Sequence, residues 1–177
     1  FHGMVTDVTQ SDRALTGVVA QHRNGRSYMQ AKVVVDATGD ADVAALAGAP
    51  CAFGRAEDGR VQPVSLMFRV GGWDRESFND YAVDHPEALR LSSEGVDAYR
   101  REPLVAVAGF EELMREAIAG GELGDLKREH VLFFNTHRPD EVIVNMSRVT
   151  GVDPLDAASM TKAEIRGREQ VFAIMDF

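Results

Sequence analysis

The pattern of apolar positions in the first part of the chain reads as a run of β-strands, roughly Gly3 to Val8, Gly17 to His22 and Ser27 to Asp36. The polar stretch Gln10 to Arg13 makes the first turn, and Asn24-Gly25 signals a type I′ hairpin. Val33-Val34-Val35 has no polar alternation and reads as a strand covered on both faces. Ala37-Thr38-Gly39 then turns the chain into a short helix, roughly Ala41 to Ala47, that Gly48 and Pro50 end. Asp40 is the expected N-cap, and Asp42 lies against the positive end of the helix dipole.

The period changes after the charged, glycine-containing stretch Phe53 to Arg60. From Val61 to about Gly151 the pattern predicts an antiparallel sheet with helices. Val64 to Val70 is a strand ending at Gly71-Gly72, and Asp74 caps a helix through Tyr81 with Ser77 at its third position. Between Pro86 and Pro103 no period dominates. Phe110, Leu113, Met114, Ala117 and Ile118 fit a helix with one buried face, stopped by Gly120-Gly121. Val131 to Asn135 and Val142 to Val149 form a hairpin through the polar loop Thr136 to Glu141. On its second strand Val142, Val144, Met146 and Arg148 share one face, and Ile143, Asn145, Ser147 and Val149 the other. Val171, Phe172, Ile174 and Met175 crowd nearly every side of a last helix.

Composition narrows the class. The 177 residues are 45% hydrophobic, which sets the chain apart from disordered segments. A net charge of −9 without a basic block argues against nucleic acid and anionic membranes as partners. No apolar stretch is long enough to span a bilayer. One cysteine, Cys51, cannot form an internal disulfide, which fits the reducing cytoplasm, and a packing role is expected for it.

Four blocks resemble one family. They are VVVDATGDAD at Val33 to Asp42, QPVSLMFRVGG at Gln62 to Gly72, VIVNMSRVTGVDPLDA at Val142 to Ala157, and TKAEIRGREQVFAIMDF at Thr161 to Phe177. Together they resemble the FAD-dependent oxidoreductases with two dinucleotide-binding domains, in the branch related to fumarate reductase flavoproteins. The resemblance implies an α+β chain: a β-meander and the last part of an FAD-binding α/β domain over residues 1–52, then an antiparallel substrate domain over 53–158. A helix over 159–177 would return toward the FAD domain. It also implies FAD as cofactor and a small organic molecule as substrate. The G-x-G-x-x-G loop that holds the FAD pyrophosphate in such proteins is not among these residues. An internal fragment of a longer flavoprotein, inactive and weak in FAD binding by itself, is therefore expected. The other reading is a cofactor-free α+β interaction module that self-associates through exposed apolar surfaces.

The resemblance places Ala37, Thr38, Gly39 and Asp40 beside the flavin, against a purely structural turn. Two carboxylates there would repel a phosphate, so neutral hydroxyls of the cofactor suit the turn better. The spacing of Asp36, Asp40 and Asp42 is not that of a calcium loop, and no metal site is expected. Arg69, Asn145 and Arg148 are polar positions on otherwise apolar strands. An arginine there can clamp a substrate carboxylate or pair with a structural acid. His137 and Arg138, beside Pro139, are candidate proton donors or simply exposed loop residues. The remaining histidines, His130 among them, show no metal spacing and read as surface or satisfied core residues. Ser65 and Ser147 lack the G-x-S-x-G setting of a hydrolase.

Overall fold

A computed structural model describes residues 2–90, 97–98, 101 and 106–177. The chain divides into two compact units, Phe1–Gly59 and Arg60–Phe177.

The first unit is an antiparallel meander of β1 (Gly3–Ser11), β2 (Ala14–His22) and β3 (Gly25–Gln30), followed by the short helix α1 (Asp42–Leu46). Asp12 and Arg13 turn β1 into β2 with left-handed backbones. The second hairpin departs from the expected I′ turn. His22 pairs with Gly25, so Arg23 and Asn24 form the turn, and only Gly25 takes positive φ, at 124°. Glycine meets that demand without a Cβ penalty. Gln10 Nε2 donates to Ala47 O at 2.9 Å and ties α1 to β1.

The valine run corrects a larger expectation. β3 stops at Gln30, and Val33 to Asp36 belongs to no strand, with Val33 78% and Val35 83% exposed. Consecutive valines make a buried strand only when neighbours take their hydrogen bonds and cover both faces. The meander offers neither along this segment among the described residues.

In the second unit, β4 (Phe68–Gly71), β5 (Ala106–Gly109), β6 (Val131–Asn135) and β7 (Glu141–Val144) form an antiparallel sheet in the order β4-β7-β6-β5. The expected strand from Val64 is confined to β4, with Val64 bridging Val149 alone, and β7 ends at Val144 rather than Val149. Ser147 explains the early end: fully buried, its hydroxyl accepts from Leu66 N–H (2.6 Å) and donates to Leu66 O (3.0 Å). A side chain thus takes the place of ladder bonds there.

Helix α2 (Arg75–Asp84) starts as its sequence requires, with Asp74 accepting from Ser77 N–H at 3.0 Å. A 3₁₀ turn follows at Pro86–Ala88, and much of the unpatterned segment beyond it lies outside the described residues. Helix α3 (Glu111–Gly120) ends at Gly121. Its buried stripe is narrower than expected: Met114 and Ala117 are buried, whereas Leu113 (48%) and Ile118 (39%) are exposed. Helix α4 (Ala157–Asp176) is capped by Asp156, and buries Ile174 while Phe172 and Met175 stand exposed.

Strand parity gives the sheet two unlike faces. Phe68, Val107, Phe133, Val142 and Val144 face two core clusters, one with Ala82 and Leu89, the other with Met114, Ala117, Leu126 and Ile174. Trp73, Phe78 and Phe133 lock the first cluster with ring centroids 4.8–5.3 Å apart. The opposite face carries Arg69, Leu132, Phe134 and Ile143, none of which joins either cluster. No helix among the described residues is long and apolar enough to cross a membrane.

Candidate functional site

The turn between the valine run and α1 is organised from Asp36, not from Asp40 as the sequence suggested. Asp36 Oδ1 accepts from the Thr38 hydroxyl (2.6 Å) and Thr38 N–H (3.0 Å), and Oδ2 accepts from Ala44 N–H (2.8 Å). Thr38 Oγ1 in turn accepts from Asp42 N–H at 2.8 Å. Two side chains upstream of α1 therefore satisfy its first amides, and Ala41, at the N-cap position with φ 57°, contributes no side-chain bond. The Thr38 hydroxyl, the Thr38 amide and then the Ala44 amide hold the Asp36 carboxyl below the usual aspartate range. Freed from capping, Asp40 is exposed.

This clasp leaves Ala37, Thr38, Gly39 and Asp40 on the surface. The hydrogen bonds of the turn do not use the N–H of Gly39 or of Asp40. A Cβ built on Gly39 would meet nothing within 4 Å, and its φ is outside the left-handed region. Neither packing nor backbone geometry within the unit requires glycine at this position. Unshared N–H donors beside open space are free to donate to a neutral acceptor, and the acids Asp40 and Asp42 disfavour an anion there.

The substrate candidates lie in the second unit and fall into two groups. Arg69 is 65% exposed, on the sheet face opposite the core clusters, and pairs with Glu141 at 3.6 Å. Arg148 stands elsewhere, its backbone held by buried Gln170, which accepts from Arg148 N–H (2.8 Å) and donates to Arg148 O (3.2 Å). Arg148 is close enough to Arg128 for its charge to oppose protonation there, and Arg128 Nη2 donates to Asn145 O at 3.1 Å. The fold thus ties Arg128 to the backbone of Asn145, and leaves Arg69 with its own acid. His137 and Arg138 are exposed in the β6–β7 loop, where Arg138 N–H donates to Thr136 Oγ1 at 3.0 Å.

Arg128 went unnoticed because Lys127-Arg128-Glu129-His130 looks like a solvated charged loop in sequence. His130 corrects the expectation of a surface or satisfied histidine: its Nδ1 is buried without a partner. Burial, then the charges of Arg90 and Arg128, hold its pKa below the usual histidine value. Cys51, expected to pack, is exposed.

A three-stranded antiparallel sheet and a four-stranded antiparallel sheet backed by helices define an α+β protein. The chain belongs to the FAD dependent oxidoreductase family, whose model matches residues 1–177. No curated protein and no solved structure matches it.

Proposed function

We propose that this chain is the segment of an FAD-dependent oxidoreductase that presents the Ala37–Asp40 turn to the flavin and supplies the substrate-side sheet from its second unit. The family match supports the flavin chemistry. The observation that carries the role of the turn is Gly39, a glycine with open space over its Cα and no internal reason to lack a side chain. FAD, when bound, supplies the two-electron chemistry on a small organic substrate. The chain's own part is to orient and to exclude water. Thr38 and Asp36 fix the turn, Gly39 lets the cofactor approach the backbone, and the amides of Gly39 and Asp40 donate to it. In the second unit, Leu132, Phe134 and Ile143 form a half-buried apolar wall with Arg69 at its edge. The pyrophosphate-binding glycine loop, which these 177 residues do not contain, is to come from another segment.

Gly39→Ala separates this role from a purely structural turn. At a backbone that alanine can adopt, the change stabilises by about 0.4–1 kcal/mol through the unfolded chain. The expected result is an unchanged or raised unfolding midpoint together with lower flavin content per polypeptide, read from flavin absorbance after purification of the holoprotein. Undiminished flavin content in the variant contradicts the assignment.

A further inference from the structure

A groove of about 300 Å³ opens in the second unit between helix α4 and the Val64–Val149 bridge. That volume lies at the lower end of the range of small-molecule sites. Met160, Ala163 and Gly167, spaced i, i+3 and i+7 along α4, line one side, and Val64, Leu66 and Val149 line the other. Gly167 is buried in the interior of the helix, where glycine is a poor helix former. A Cβ built on it would meet Leu66 Cβ alone, at 3.4 Å, which is an ordinary contact. Packing within the unit therefore admits a larger residue, and the glycine keeps the groove open.

The polar groups of the groove are chiefly acceptors, and its charged residue is an acid. Val64 exchanges both main-chain bonds with Val149, at 3.0 and 2.9 Å, which turns the Ser65 C=O to the other side of the strand. Ser65 makes no hydrogen bond among the described residues. The Thr161 hydroxyl donates its proton to Ala157 O at 2.8 Å, so its remaining capacity is to accept. Glu164 gives Oε1 to Arg168 Nη2 at 2.6 Å and keeps Oε2 without a partner among the described residues. Arg168 itself does not line the groove, nor does any lysine or histidine.

Apolar walls with acceptors and a carboxylate between them are complementary to a compact apolar body that carries an ammonium group, a donor without acceptor capacity. The net charge of −9 favours a cation at the surface as a whole. We propose that this groove binds a small apolar amine in its protonated form, with the apolar body against Leu66, Met160 and Gly167 and the ammonium on Glu164 Oε2. The proposal does not rest on flavin binding, and its test contains no flavin.

The test is thermal unfolding of the purified protein at neutral pH, titrated with phenethylamine in one arm and its neutral isostere phenylethanol in the other, with ionic strength held constant by potassium chloride. Binding to the folded state raises the midpoint in a saturable way. The expected result is a saturable rise with the amine that exceeds the rise with the alcohol. Glu164→Gln, at an exposed side chain, is expected to raise the apparent Kd of the amine roughly three- to tenfold and to leave the response to the alcohol as it was. Gly167→Ala adds a methyl group to the groove wall. It is expected to weaken the amine while the midpoint without ligand does not fall, because alanine is the better helix former. No saturable rise with the amine overturns the proposal, as does an equal response to amine and alcohol, or a rise that either substitution leaves unchanged.

Discussion

The two units are stabilised by different means. In the first, fully buried apolar side chains amount to Ala20 and Val43 among the described residues, and order comes from long antiparallel ladders and the Asp36–Thr38 clasp. In the second, short strands are held by side-chain clusters around Phe133 and Met114. A unit built on hydrogen bonds keeps apolar residues such as Val33 and Val35 at its surface, and depends on the ionisation of single acids. A unit built on packing depends on volume, and it can hold unpartnered polar groups such as Arg128 Nε against a stable frame.

The contrast is tested most severely by truncation in the second unit. Met114 is fully buried, and Met114→Ala is expected to cost about 2–5 kcal/mol, because the cavity persists where helices and sheet cannot collapse onto it. Denaturant unfolding followed by Trp73, the single tryptophan, reads this directly. A loss below about 1 kcal/mol would place the stability of the unit outside its clusters. Ser147→Ala comes next. It leaves Leu66 N–H and C=O without their partner in a half-buried place, at about 1–3 kcal/mol by the same probe.

The first unit is expected to respond to pH instead. The folded pKa of Asp36 lies below its ordinary value of 3.8, so its ionised form favours the folded state. That contribution is fully present above the ordinary value, and is lost as pH falls through the lowered folded one. Amide exchange at Asp42 and Ala44, compared with unprotected chain rates across that range, is expected to lose protection at the acid end. Asp36→Asn is expected to reduce the protection already at neutral pH, with Trp73 fluorescence unchanged. Protection independent of both acid and the substitution contradicts the role of the clasp. The smallest effect is expected at Val35, where 83% exposure makes Val35→Thr nearly neutral, within about 0.5 kcal/mol in denaturant unfolding.

Much of the second unit was legible in the sequence because its local chemistry decides its elements. Asp74 with Ser77, the Met114–Ala117 spacing and the Val131–Asn135 strand each carry a cap or a period that tertiary contacts do not override. The valine run was not legible in the same way, because whether an apolar run becomes a strand depends on a neighbour that its own residues do not specify. The Asp40 cap failed for a related reason. A carboxylate four residues upstream of it, Asp36, reaches the same amides, and sequence position alone does not rank the two. Of the candidate site residues, Gly39 was legible as a turn glycine, but its open space was visible only in three dimensions. Arg128 and Asn145 are separated by a complete hairpin, so nothing local connects them.

The contact proposed for the Ala37–Asp40 turn is with the flavin. Hydrogen–deuterium exchange on the flavin-loaded protein, before and after removal of FAD, measures it most directly. The amides of Gly39 and Asp40, which have no partner within the turn, are expected to be protected with FAD bound and to exchange freely once it is removed, while the β1–β2 ladder changes little. Equal exchange at those amides in both states, with FAD demonstrably bound in one, would contradict it.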